Sequence, residues 1–147
     1  MKSFGLLLTL VVAAAPAVFA QNPKDNVSPA EARIVAACQV VQEATGVQET
    51  LDRFDSGLAA HDVQLLQAVG IEPVSARGWQ RFFKSNPDAK VSDNCPVTSL
   101  FIAGDTALWN CTETSTITSA GRPMQYAHLI QFTFVKRDGA WMISDRK

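Results

Sequence analysis

No run of basic residues interrupts this sequence, no second long apolar stretch follows the one near its amino terminus, and neither a glycine-rich phosphate loop nor a nucleophile elbow occurs in it. The first absence removes the electrostatic footprint of a nucleic-acid binder. The second leaves nothing to cross a membrane once the amino terminus is cleaved. The third excludes the chemistries that those motifs announce. Internal repeats and low-complexity tracts are also missing. Histidine is scarce: His61-Asp62 has no third ligand at metal-binding spacing, so no metal is expected, and no motif calls for a cofactor. Cysteine occurs three times, at Cys38, Cys95 and Cys111. An odd count leaves at least one thiol unpaired in a monomer.

What is present begins with Lys2, the apolar run FGLLLTLVVAAA, Pro16 and the small-residue ending Val18-Phe19-Ala20. This pattern reads as a secretory signal peptide over residues 1–20, cut after Ala20. The run falls short of the roughly 20 residues that span a bilayer, and no cysteine follows the cut to accept a lipid. Losing Lys2 leaves 12 basic against 14 acidic side chains, a charge of −2 on 127 residues. One secreted or periplasmic domain is expected. Its partners would be small molecules or proteins, not nucleic acid or membrane.

Residues 21–27 are polar and read as a disordered lead-in, followed by a single domain over 28–147. Ser28-Pro29-Ala30-Glu31 supplies an N-cap, a proline at the first helical position and a capping-box glutamate. Ile34, Val35, Cys38 and Val41 follow at helical spacing, which places Cys38 in the core. Thr45-Gly46 interrupts this pattern, and Val47, Leu51, Phe54 and Leu58 resume it as one buried face. Asp52 and Asp55 fall on the solvent side. Asp62 caps a short helix ending at Gly70, and a further helix over 75–84 presents Trp79, Phe82 and Phe83.

From Val91 the apolar period switches to two. Four strands are expected, at about 91–102, 106–118, 124–136 and 140–146, with turns at Gly104-Asp105, Gly121 and Asp138-Gly139. Helices followed by an antiparallel meander give an α+β fold with helices packed on one face of the sheet.

The segments LAAHDVQLLQAV, GWQRFF, IAGDTALW and FTFVKRDGAWMI, within residues 44–145, resemble the nuclear-transport-factor-2-like superfamily, in particular its SnoaL-like, polyketide-cyclase-related small domains. The resemblance implies a cone-shaped, curled antiparallel sheet wrapped on helices, of the cystatin-like kind, with a pocket inside and frequent dimerisation through the sheet's outer face. That superfamily contains isomerases, dehydratases and cyclases beside non-catalytic binding domains, so the fold alone does not give the function. This chain stops at Lys147, where many relatives extend the last strand, and no catalytic residue carries over by motif.

Turn geometry fixes which residues share a face. With a two-residue loop at Asp138-Gly139, Phe134 pairs with Ile143 and Phe132 with Asp145. The inner face then carries Trp141, Ile143 and Asp145 with Phe134, Phe132, Ile130, His128 and Tyr126, joined by Trp109, Cys111 and Glu113 from the neighbouring strand. The apolar end, with Trp79, Phe82, Trp109, Ile130, Phe132, Phe134 and Ile143, would line a ligand pocket. The polar end would gather Glu113, His128, Tyr126 and Asp145. A histidine beside a carboxylate is also a general-base pair, with Tyr126 or Asp145 as donor, although cross-strand polar pairs are more often structural.

Cys95 and Cys111 test the register. A two-residue turn at Gly104-Asp105 sets Thr98 opposite Cys111 and forbids a bond; a three-residue loop, or a bulge at Pro96, brings the two cysteines together. Secretion favours the disulfide. Phe101, Leu108, Leu129, Val135 and Met142 form an apolar outer patch suited to a homodimer. The expected function is non-catalytic binding of a small apolar ligand or a protein partner, with a cofactor-free isomerase, dehydratase or cyclase as the rival.

Overall fold

The computed structural model describes residues 28–147. The expected signal peptide, its cleavage after Ala20 and the polar lead-in lie outside the described residues. Among the described residues, three helices precede five strands: α1 (Pro29–Ala60), α2 (Val63–Ala68), α3 (Pro73–Ser85), β1 (Lys90–Asn94), β2 (Val97–Ala103), β3 (Thr106–Ser119), β4 (Arg122–Arg137) and β5 (Ala140–Arg146). The α+β architecture expected from the switch in period is the one observed.

Helix α1 starts as its sequence dictates. The Ser28 hydroxyl accepts from the Glu31 amide, and the Glu31 carboxylate accepts from the Ser28 amide at 2.8 Å. It does not stop at Thr45-Gly46. The Thr45 hydroxyl donates back to the Val41 carbonyl at 2.9 Å, and Gly46 is small because the Trp141 ring lies against it: a Cβ there would sit 2.9 Å from Trp141 Cδ1. The glycine marks a close approach, not a break. Consequently Cys38 is exposed and not in the core.

The helix ends at His61, which takes the left-handed conformation with φ 57°. Its Nε2 lies 2.7 Å from the Ala89 carbonyl and its ring stacks on Phe83 at 4.2 Å. Asp62 caps α2 through the Leu65 amide.

One antiparallel sheet holds all five strands. Its order is β1-β3-β4-β5, and β2 also pairs with β3. The expected first strand is thus two: Cys95-Pro96 divides it, β1 lying along the carboxyl-terminal part of β3 and β2 along its amino-terminal part. Ala120-Gly121 and Asp138-Gly139 both have positive φ, as two-residue hairpin turns with the sheet's twist require. The β3–β4 register sets Glu113 opposite His128 and Trp109 opposite Phe132.

Against the inner face pack Val47, Leu51, Phe54 and Leu58 of α1, meeting Trp109, Phe132, Phe134, Trp141 and Ile143 in one core. Phe54 meets Phe132 edge to face at 6.0 Å. At one end of this contact Glu43 clamps helix to sheet, accepting from Lys136 Nζ at 2.6 Å and from Trp141 Nε1 at 2.9 Å. The Lys136 bond, chiefly, holds the Glu43 carboxyl below its ordinary range. At the other end Gly70 (φ 106°) lies on β5. The Ile143 amide donates to the Val69 carbonyl at 2.8 Å, and a Cβ on Gly70 would fall 2.3 Å from the Ile143 carbonyl oxygen.

Candidate functional site

Alternation puts Glu113 and Ser115 of β3 on the inner face, just beyond the apolar core. Glu113 is 1% exposed. Its carboxylate lies 3.1 Å from His128 Nε2, whose side chain is 49% exposed, and accepts from the Ser115 hydroxyl at 3.3 Å. The sequence pairing of Glu113 with His128 is therefore a direct contact.

The third partner of Glu113 is Arg146, which the sequence reading missed. Its Nη2 donates to Glu113 Oε1 at 2.6 Å and also to Oε2. Arg146 gains this position through a bulge: Phe134 pairs with Ile143 as expected, but Thr133 then pairs with Asp145 and Phe132 with Arg146. One extra residue reverses the face of everything after it. Asp145 is thereby turned away from the polar cluster. It pairs with Lys147 at 3.0 Å, and that contact above all holds its carboxyl below the usual range. The Arg146 guanidinium lies 5.7 Å from the centroid of the Phe132 ring, joining core to cluster.

Two further carboxylates face this group. Asp93 of β1 pairs in register with Ser115. Burial, first of all, raises its pKa, and its Oδ1 is buried without a hydrogen-bond partner. Asp55 of α1 is half-buried against the sheet, not on the solvent side. Burial, then the charges of Asp93, Asp52 and Glu113, push it up to about 7. Tyr126 does not join them; it is exposed near the end of β4, and its hydroxyl contacts Met124 Sδ at 3.7 Å.

The expected pocket residues divide. Phe132 and Phe134 are fully buried and Trp109 nearly so, filling the cone's interior, while Phe82 and Ile130 pack on that core. Trp79 and Ile143 instead line a cleft of about 330 Å³ at the cone's mouth, with Phe54, Ile71, Glu72 and Arg146. A smaller cleft of about 180 Å³ opens beside the disulfide and includes Asp55 and Trp109. The Trp109 indole N–H makes no hydrogen bond.

Cys95 and Cys111 are bonded, with their Cα atoms 5.4 Å apart. The Gly104-Asp105 turn does have two residues, since Ala103 pairs with Thr106, but a register shift between Val97 and Ser99 realigns the strand. Among the described residues, no group of three or more His, Cys, Asp or Glu is placed to hold a metal ion, and no helix is long and apolar enough to cross a membrane.

Solved structures place this architecture. A proposed dehydratase of the NTF2-like family from Streptomyces avermitilis superposes with TM-score 0.61 at 13% identity, covering 71% of this chain and 94% of its own. An NTF2-like protein with a cystatin-like fold from Novosphingobium aromaticivorans gives 0.63 at 15%, covering 83% and 89%. A nuclear transport factor 2-like superfamily protein from Salmonella enterica serovar Typhimurium gives 0.59 at 14%, covering 75% and 89%.

The fold is nuclear-transport-factor-2-like. At these identities the likeness carries the fold and nothing finer. No family model matches the sequence, and no curated protein does. In this nuclear-transport-factor-2-like cone the cluster around Glu113 stands where helix α1 and strands β1, β3, β4 and β5 converge, with the larger cleft beside it.

Proposed function

We propose that this cone binds a small molecule at its mouth without converting it. The observation that carries this reading is the cleft of about 330 Å³, within the size range of small-molecule sites, whose walls combine Phe54, Trp79 and Ile143 with the Arg146 guanidinium. The walls are mixed, with Phe54, Ile71, Trp79 and Ile143 set among Glu72, Ser75, Ser144, Asp145 and Arg146, which suits a small ligand with an apolar part and several hydrogen-bonding groups. Behind that wall the Glu113 carboxylate is shared by Arg146, His128 and Ser115, the arrangement of a structural polar cluster around His128, the base that the sequence suggested.

Native mass spectrometry of the protein purified without denaturation tests this. A retained small-molecule mass that disappears in Trp79→Ala is expected. An empty wild-type protein that also gives no fluorescence response with 1-anilinonaphthalene-8-sulfonate would refute it.

One observation favours a second reading, a cofactor-free isomerase, dehydratase or cyclase: Asp55, raised to about 7, has the proton affinity suited to acid–base work near neutrality. In that reading Asp55, not Tyr126 or Asp145, exchanges the proton, in the cleft of about 180 Å³ that it lines together with Trp109. Turnover of the retained molecule that Asp55→Asn abolishes while binding persists would favour the enzyme over the binding domain.

A further inference from the structure

Two features of the mouth cleft would draw an anion: the Arg146 guanidinium, and the amino terminus of α3, where a helix concentrates partial positive charge. Both are answered within the chain. Arg146 Nη2 donates to the two oxygens of Glu113, and the guanidinium lies 5.7 Å from the centroid of the Phe132 ring. At the start of α3, Pro73 has no N–H to offer, and Glu72 occupies the cap position with its own negative charge. Lys147, the next cation along β5, is paired with Asp145 at 3.0 Å.

The carboxylates are not answered in the same way. Glu72 lines the cleft, yet its side chain makes no capping bond, and among the described residues no Lys, Arg or His pairs with it. Behind Arg146 stand Asp55, which no cation pairs, and Asp93, whose Oδ1 is buried without a hydrogen-bond partner. The acidic groups of Asp55, Glu72, Asp93, Glu113 and Asp145 thus outnumber Arg146, Lys147 and the His128 imidazole. A cleft walled partly by apolar groups focuses such an excess of one sign.

Trp79 adds a second preference of the same sign. Glu72, Ser75 and Trp79 recur three and four residues apart, so one side of α3 faces the cleft, and all three line it. The Trp79 ring stacks on Phe83 at 5.5 Å and meets Phe82 edge to face at 5.9 Å. Stacking uses one face of the indole and leaves the other for the cleft. The face of an aromatic ring carries negative charge, and tryptophan is the strongest of the aromatic side chains in attracting a cation.

Building on the binding role proposed above, we infer that the mouth cleft takes an organic cation: a small ammonium compound with an apolar body. Its nitrogen lies over the Trp79 ring in the field of Glu72, and its body lies against Phe54 and Ile143. An organic acid of the same size would meet the surplus of carboxylates. A bare metal ion would leave the apolar wall unused.

Three probes that share one body and differ in charge test this: 2-phenylethylamine, 2-phenylethanol and phenylacetate, each titrated into the purified protein near neutral pH. The indole N–H resonance of Trp79, assigned by its loss in Trp79→Phe, reports binding. The ammonium is expected to bind at least about tenfold more tightly than the alcohol, and phenylacetate most weakly. Glu72 is exposed, so Glu72→Gln keeps the fold and should cut that preference to about threefold or less. Any molecule retained in native mass spectrometry should carry a basic nitrogen. Equal binding of amine and alcohol, tightest binding of phenylacetate, or a preference that Glu72→Gln leaves unchanged overturns the inference and leaves the binding role standing. A resonance that none of the three moves overturns it as well; if the native spectrum also shows empty protein, the binding role falls with it.

Discussion

Without the Arg146 guanidinium, the Glu113 carboxylate would be left buried with a half-exposed imidazole and a serine hydroxyl. Removing one partner of a buried, hydrogen-bonded ion pair costs several kcal/mol, because the other charge stays desolvated. Arg146 is partly exposed, so water can replace some of what is lost. Arg146→Met should lower stability by about 2–3 kcal/mol in urea unfolding, and Glu113→Gln in the same chain should recover part of that loss. Additive losses would show that the two residues are not coupled. The contact of Glu113 with His128 was legible in the sequence because joining the more apolar face of β3, with Trp109 and Cys111, to Phe132 and Phe134 buries the most surface and carries Glu113 to the side of His128, where the register places it. Arg146 was not. The bulge that brings it inward falls in Ile143-Ser144-Asp145, which contains neither glycine nor proline to announce an irregularity. The only signal was an arginine one place beyond the apolar alternation.

At the scale of elements, alternation and turn residues located the strand-forming stretches of the described residues, and the helical period located the helical ones. What they could not supply was how an element is interrupted or continued. Gly46 read as a break because glycine is a poor helix former, whereas contact with the Trp141 ring explains it. The β1–β2 strand read as one because Cys95-Pro96 lies inside an unbroken alternation. The disulfide depended on such a detail, since a single extra residue near Thr98 decides whether the two cysteines share a face. With a sequence separation of 16, the bond closes a loop whose constraint on the unfolded chain contributes roughly 3 kcal/mol. Reduction with a phosphine should therefore lower the melting temperature by about 10 °C for a domain of this size. Cys38→Ser should show the same drop, because Cys38 is the free thiol. An unchanged melting temperature would count against the bond.

Across the whole molecule, the antiparallel meander after helices was enough to anticipate an α+β cone, but not to show how full that cone is. Inward-facing aromatic residues can line a cavity or fill it, and alternation reads the same either way. Here Phe132, Phe134 and Trp109 fill it, and the ionisable groups collect at the mouth. Asp55 likewise looked solvent-facing because it sits at the edge of the stripe of Leu51, Phe54 and Leu58; the curl of the sheet brings β1 over that edge. The result is three carboxylates, Asp55, Asp93 and Glu113, facing one guanidinium and one imidazole. This imbalance has a consequence for stability. Asp55 titrates near 7 in the folded chain against 3.8 for an ordinary aspartate, and Asp93 is raised in the same direction. Between those values the folded protein holds more protons than the unfolded one, so stability falls as pH rises. The contribution is fully present below about pH 4 and is lost as pH climbs through 7. Because Asp55 is only partly buried, solvent screening reduces the effect to about 1–2 kcal/mol. The denaturation midpoint should therefore be higher at pH 5 than at pH 8, and Asp55→Asn should flatten that difference while stabilising the protein at pH 8. A midpoint that rises from pH 5 to pH 8, or an unchanged slope in Asp55→Asn, would mean that the mouth carboxylates are hydrated and independent of one another. It would also remove the observation that favours acid–base chemistry and leave the mouth as a binding surface alone.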